Sequence, residues 1–178
     1  MTSMTSIKDR LPATLTTDRL VLTTPTLAHV PEMAVLANNK TINEVLSRLP
    51  HPYDESHGRF FVEHIARGPE EFAWSILHEG RYLGTVGLHL LPDLPPELGY
   101  WLGEPHWGQG YATEAAHAVV AAARDAGVPA LRSRALLSNH GSLNVLRKVG
   151  FIETGEALDE HGTLVGRRMM QMRLDFDR

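Results

Sequence analysis

The residues with the clearest chemical potential lie in one run, His106-Trp-Gly-Gln-Gly-Tyr-Ala-Thr-Glu-Ala115, where two glycines and a bulky aromatic precede a strong helix former. Glycine tolerates positive φ and has no Cβ, so a turn through Gly108 and Gly110 can aim successive backbone N–H groups into one concavity. The helix that follows leaves its first N–H groups unpaired and adds the positive end of its macrodipole. Such a cradle holds phosphate oxygens without a lysine. Three rival readings compete with it. A nucleotide P-loop needs GxxxxGK followed by Ser or Thr, but "GEPHWGQG" has Gln109 in place of the lysine and Gly110 in place of the hydroxyl, so that reading fails. A GxGxxG dinucleotide fingerprint finds only "GQGYAT", with Thr113 last and no clear acidic ribose partner after the next strand. The plain alternative is a structural turn with a satisfied helix cap.

The elements that position this run follow from patterning. "RLVLTT" (19–24) predicts a strand ended by Pro25, and Thr26 caps a helix through "LAHVPEMAVLANN". A second helix starts after Asp54 in "ESHGRFFVEHIARG", with Phe60, Phe61, His64 and Ile65 near one face and Gly68 as its stop. "EFAWSILHEGRYLGTVGLHLLP" predicts a hairpin turning at Glu79-Gly80, and "ELGYWLG" (97–103) another strand. The Ala-rich segment 109–126 is the strongest helix, closed by Gly127 and Pro129. "LRSRALLS" is a strand, "NHGSLNVLRKVG" a helix capped by Asn139, and the remainder a hairpin around "DEHG". The order β-α-α-β-β-β-α-β-α-β-β implies a mixed sheet with helices on its faces. Residues 1–15 are expected to be a flexible start, and 16–178 a single domain.

Composition limits the functions available. A chain of 178 residues with 43% hydrophobic content suits one domain. A formal charge of −4 argues against nucleic acid as a partner, though not against a local anion site. The absence of cysteine removes disulfides, thiolate zinc sites and a cysteine acyl-enzyme. The ten histidines are scattered with no close ligand pair, so no metal site is expected. No apolar run suggests a signal peptide or a membrane span, making the cytoplasm the expected compartment.

Three ordered segments carry a resemblance: "TDRLVLTTPTLAHVPEM", "ELGYWLGEPHWGQGYATEAAHAVV" and "SNHGSLNVLRKVGF". Together they resemble the GNAT superfamily of N-acetyltransferases, in particular the branch of the ribosomal-protein-alanine and spermidine acetyltransferases. The resemblance implies an α/β (α+β) GNAT fold, in which a mostly antiparallel sheet contains a central pair of parallel strands, "ELGYWLG" and "LRSRALLS", that splay apart. It implies acetyl-CoA as cosubstrate, its pyrophosphate cradled by Trp107, Gly108, Gln109, Gly110, Tyr111, Ala112 and Thr113. Trp107 stands where the family pattern usually has Gln or Arg, a departure that backbone contacts tolerate. The pantetheine arm would pair with backbone near Trp101 and Leu102 and meet Asn139, which is equally a helix cap. Arg147 or Lys148 could meet a phosphate, against the plainer reading of a solvated helix face.

The implied chemistry is direct attack of a primary amine on a thioester. Model α-amino and lysine groups titrate at roughly 8 and 10.4, so a base must remove a proton first. By resemblance Glu97 leads, with a strand-opening glutamate as its plain alternative; His89 on the neighbouring strand is second. Many relatives protonate the leaving thiolate with a tyrosine where this chain has Leu146. Ser142, matching a serine of the ribosomal branch, becomes the candidate donor, or simply a capping serine. A backbone N–H near Leu102 would stabilise the oxyanion. On the acceptor side the resemblance brings Tyr53, Phe60, Phe61, Trp74, Asp54, Glu55 and Glu63 together without choosing among a protein N-terminus, a polyamine, an amino acid or an aminoglycoside. A homodimer is compatible with the resemblance. The alternative function is a CoA-binding sensor or interaction module that has lost catalysis.

Overall fold

The computed structural model describes residues 4–177. Eight strands form one sheet: β1 (Leu15–Thr16), β2 (Val21–Thr23), β3 (Glu71–His78), β4 (Arg81–His89), β5 (Glu97–Leu102), β6 (Ala130–Leu136), β7 (Ile152–Leu158) and β8 (Arg168–Asp175). Their spatial order is β1-β2-β3-β4-β5-β6-β8-β7. All neighbours are antiparallel except β5 and β6, which run parallel. The helices are α1 (Met4–Arg10), α2 (Val30–Ala37), α3 (Lys40–Asn43), α4 (Glu55–Phe60), α5 (Tyr111–Asp125) and α6 (His140–Lys148). This is the mixed α/β sheet expected of the chain.

Strand alternation separates two cores. Leu98, Tyr100 and Leu102 of β5 join the main cluster with Val86 and Leu88 of β4 and the buried face of α5. Trp101 turns to the other face, where it packs in a second cluster with Met33 and Ala37 of α2 and with Tyr53 and Tyr82. Alanine decides how α5 docks: Ala115, Ala116, Ala122 and Ala123 are buried, so the helix lies close on the sheet at no cost in helix propensity. Gly127, at φ +86°, ends it in the left-handed conformation. The hairpin turn falls on Glu79 (φ +51°) and Gly80 (φ +79°), as the sequence predicts.

Three local features differ from expectation. Within the segment expected to be flexible, α1 forms and buries Ile7, with Leu11 one turn on, in the main core; residues 1–3 lie outside the described residues. Neither β1 nor α3 has a sequence signature, since two- and four-residue elements are too short to show a period. The helix after Asp54 changes character at Phe61, running on to Ile65 as a π-helical turn.

Two glycines on adjoining strands make opposite demands. A Cβ at Gly84 would lie 2.2 Å from Trp101 O, whereas one at Gly99 would meet open space. Gly84→Ala should therefore destabilise the fold by about 1–3 kcal/mol. Gly99→Ala should leave stability unchanged or raise it by up to about 1 kcal/mol. Urea unfolding midpoints of the two variants check the contrast, and equal losses would contradict it.

Candidate functional site

The site begins where β5 and β6 part. They share one register pair, Glu97 with Arg132, and Arg132 N donates to Pro96 O at 3.0 Å. Beyond that point Ser133 Oγ reaches across to Leu98 O at 2.7 Å, occupying an acceptor that a zipped parallel ladder would use. On the other edge of β5, Gly103 N donates to Leu83 O at 2.8 Å, which fixes the alternation. The backbone groups of Trp101 and Gly103 therefore face β4, and those of Tyr100 and Leu102 face the gap. Leu102 O is taken by Trp107 Nε1 at 2.9 Å, leaving its N–H and the Tyr100 peptide groups turned into the opening.

The glycine run lies just past the end of β5. Gly108 and Gly110 adopt φ of +76° and +81°. The first backbone bond of α5 is Glu114 N to Gly110 O, 3.0 Å. The N–H groups from Gly108 to Thr113 thus have no carbonyl partner among the described residues. Trp107 N differs, being bound to Glu104 O at 3.2 Å; Trp107 contributes instead by its indole, which staples the turn to β5.

Arg19 holds this turn from outside. Its Nη1 donates to Gln109 O at 2.8 Å, its Nε to Glu114 Oε1 at 2.7 Å, and its guanidinium lies 4.5 Å from the centroid of the Tyr111 ring. A trans peptide points its C=O and N–H in opposite directions, so tethering Gln109 O outward turns the Gly110 N–H inward. Glu114 also accepts from Thr17 Oγ1 at 2.5 Å and from Arg19 N at 2.9 Å. Burial alone would raise the Glu114 carboxyl, but the hydrogen bonds from Thr17 and Arg19 and the guanidinium charge outweigh it and hold the group below its ordinary value. The same pairing cancels a negative charge that would otherwise sit in the first turn of α5, beside the cradle.

Across the gap, Asn139 caps α6 by accepting from Ser142 N at 3.2 Å. Ser142 Oγ lies 2.8 Å from Tyr100 Oη. Burial raises the Tyr100 phenol above its ordinary value, a shift the Ser142 hydrogen bond partly offsets, so the phenol keeps its proton at neutral pH.

The opposite face of the sheet floors a cavity of about 760 Å³ that reaches the same stretch of β5. A polar row crosses four strands in register: Glu71, His89, Glu97 and Arg132. His89 Nδ1 lies 3.1 Å from Glu71 Oε2, and Glu97 Oε2 lies 2.8 Å from Arg132 Nη1 and 3.6 Å from Arg134 Nε. Next to this row Ala73, Gly87 and Gly99 pair in register, leaving a strip of sheet almost without side chains.

A cradle at a helix start beside a parted parallel pair narrows the family, and the comparison decides it: residues 19–152 match the model of the acetyltransferase (GNAT) domain. The chain belongs to the GNAT acetyltransferase family. It is 30% identical over 102 residues to the uncharacterized N-acetyltransferase YycN of Bacillus subtilis (strain 168), a match spanning 53% of this chain and 65% of that protein. In fold it is similar to the microcin C7 self-immunity acetyltransferase MccE, solved with acetyl-CoA and AMP, at a TM-score of 0.81, 20% identity, and 94% and 98% of the two chains. It is similarly close to RimL, a ribosomal L7/L12 α-N-protein acetyltransferase solved with coenzyme A, at 0.79, 18% identity, and 94% and 98% coverage.

Within this GNAT domain the residues singled out from sequence gather in three places. Gly108 to Thr113 line the cradle; Leu102, Asn139 and Ser142 border the gap; Glu97, Trp101, Tyr53, Phe60 and Phe61 line the cavity. Trp101 faces the cavity with its ring rather than the gap with its backbone. Trp74 is remote from it, fully buried in the main core with Nε1 on Pro12 O at 3.0 Å. Asp54 caps α4, and Glu55 and Glu63 are not among the lining residues. Arg147 pairs with Glu153. Sequence reasoning missed Arg19, Glu114, Glu71 and Tyr100. Only strand pairing brings Glu71 beside His89, and only the splay gives Tyr100 access to Ser142.

Because the folded Glu114 titrates below its ordinary value of 4.5, its ion pair contributes full stability above that pH and loses it as pH falls through the depressed folded value. Thermal midpoints of wild type and Glu114→Gln should differ near neutrality and converge in acid. A gap constant from pH 7 to pH 3 would contradict this.

Proposed function

We propose that the chain is an acetyl-CoA-dependent N-acetyltransferase that acetylates a primary amine by direct attack. The observation carrying this reading is the run of unpartnered N–H groups from Gly108 to Thr113 at the mouth of the β5–β6 gap. Six amides at a helix start suit a diphosphate, and the exposed edge of β5 suits an extended amide-bearing arm. The acetyl-CoA bound to MccE and the coenzyme A bound to RimL support the choice of cosubstrate. In this reading Tyr100 offers its main-chain groups to the arm, and the N–H of Leu102, whose oxygen Trp107 holds, is kept for the thioester oxygen. The Asn139 side-chain amide, with no acceptor among the described residues, can donate to it while the oxygen caps α6.

His89 is the better-placed base. Glu97, which leads by resemblance, has its carboxylate committed to two arginines that compete with an incoming ammonium. His89 is oriented by Glu71 through Nδ1, which leaves Nε2 directed to other work in the cavity. The ammonium gives one proton to His89, and the freed lone pair attacks the thioester carbon. A C–N bond forms and the C–S bond breaks. The Leu102 N–H stabilises the oxyanion on the way. The thiolate is protonated by Ser142, resupplied by Tyr100, which regains its proton from solvent as His89 releases its own, so the acid missing at Leu146 has a replacement from the facing strand. The amine's second proton leaves for solvent, giving amide and free thiol. A sensor that has lost catalysis would have no use for this pair.

Thiol release from acetyl-CoA should require an added amine. His89→Gln should lower kcat about a hundredfold to ten-thousandfold, the range of a lost general base. Glu97→Gln should cost less, and the reverse ranking would return the role to Glu97.

In the reaction Arg19 acts through the cradle, by holding the Gln109 carbonyl. Arg19→Ala should raise KM for acetyl-CoA about tenfold, the size expected of a lost charged hydrogen bond. It should leave kcat/KM for S-acetylpantetheine, which has no diphosphate, unchanged. Equal losses with both donors would mean that Arg19 merely supports the fold.

A further inference from the structure

The cavity facing β4 and β5 has a charge balance that selects among amines, and the inference drawn from it rests on the acetyl-transfer reading above. The strip of Ala73, Gly87 and Gly99 provides the floor, and Gly99 has open space where a side chain would be. Glu71 Oε1 overhangs this strip: a Cβ on Gly87 would lie 3.0 Å from it. Since Glu71 binds His89 through Oε2, Oε1 remains to accept from one ammonium, set beside the imidazole that would deprotonate it.

No second ammonium would be welcome. The other carboxylate lining the cavity, Glu97, is already between Arg132 and Arg134, and Arg134 is also bound to Asp159 at 2.9 Å. Away from the glycine floor the lining is largely apolar, with Ser47, Ser56 and His57 among its polar members. Phe60 and Ile65 are 58% and 41% exposed, a large cost in wetted apolar surface unless something covers it. Phe61 and Leu49 continue this surface. Arg48 lines the cavity too, the one arginine there that has no acidic partner among the described residues. A polyamine or aminoglycoside would bring its extra charges against phenylalanines and an unpaired guanidinium. A monoamine with an apolar body and an acidic group would satisfy the carboxylate, the walls and the arginine together.

We infer that the acceptor is a small primary monoamine with an apolar, ring-sized body and one acidic group. Two matched pairs test it: phenylalanine with phenethylamine, and 4-(aminomethyl)benzoate with benzylamine. Spermidine and a phenylalanine-initiated peptide complete the panel, all followed by thiol release. In at least one pair the acid-bearing member should have the higher kcat/KM, above spermidine and the peptide. Arg48→Ala should lower that value about tenfold, the size of a lost charged hydrogen bond, without changing the acid-free partner. Gly99→Leu should raise the acceptor KM while leaving coenzyme A affinity by calorimetry intact. Preference for spermidine or the peptide, no advantage from the acid in either pair, or equal effects of Arg48→Ala on both members would overturn the inference. Those outcomes leave acetyl transfer itself standing, whereas loss of thiol release with every amine together with no coenzyme A binding would remove that reading too.

Discussion

The parting of β5 from β6 after a single register pair is the constraint on which everything else depends. A continuous parallel ladder would consume the main-chain groups of Tyr100 and Leu102 and bring Ser142 no nearer to them. Ser133 prevents that by placing its hydroxyl on Leu98 O, 2.7 Å away, where a β6 amide would otherwise donate. Burial of Leu98 and Leu131 on the α5 side keeps the strands anchored at the base. The opening is therefore wedge-shaped, closed at Glu97 and wide toward the glycine turn. Unsatisfied main-chain groups at such a place are costly in a dry core and are tolerable where a ligand or water supplies partners.

Electrostatics then assigns the two sides of the sheet different tasks. On the α5 side the cation beside the cradle is Arg19, which lies against Gly110 and the Tyr111 ring. The nearby guanidinium of Arg19 is spent on Glu114 and on the Gln109 carbonyl, so the field at the turn comes from amide dipoles held in fixed directions. On the other side, the row Glu71, His89, Glu97 and Arg132 alternates acids with bases across four strands. Glu97 is balanced by Arg132 and Arg134, whereas Glu71, bound to His89 through one oxygen, keeps the other for a single cation. The imidazole in the row borders the cavity, close to where the two chambers meet at β5.

How much of this could be read from sequence depends on the range over which each feature is encoded. The cradle is local: Gly108, Gly110 and the alanine-rich helix announce a turn and a helix start within ten residues, and the turn at Glu79-Gly80 is equally local. The order of the main elements follows from periodicity. Pairing is another matter. Arg19 and Glu114 are 95 positions apart, Glu71 and His89 18, and Tyr100 and Ser142 42, with no pattern joining them until the sheet is assembled. The alternation of β5 was visible in "ELGYWL", yet which edge faced the gap was not, which is why the backbone of Tyr100 rather than that of Trp101 borders it. Trp74 looked like a lining aromatic; strand parity sends it to the main core instead. Residues 4–11 lacked a clear signature because one turn with Ile7 and Leu11 inside is too little to distinguish a docked helix from a frayed end.

The central claim is that six consecutive amides, Gly108 to Thr113, are kept unpaired so that they can grip a diphosphate. Amide proton and nitrogen shifts of these residues, followed by NMR during titration with coenzyme A and separately with pantetheine, test it most directly. The expected result is large downfield proton shifts across this run with coenzyme A and none with pantetheine. Saturable coenzyme A binding that leaves these resonances in place would contradict it.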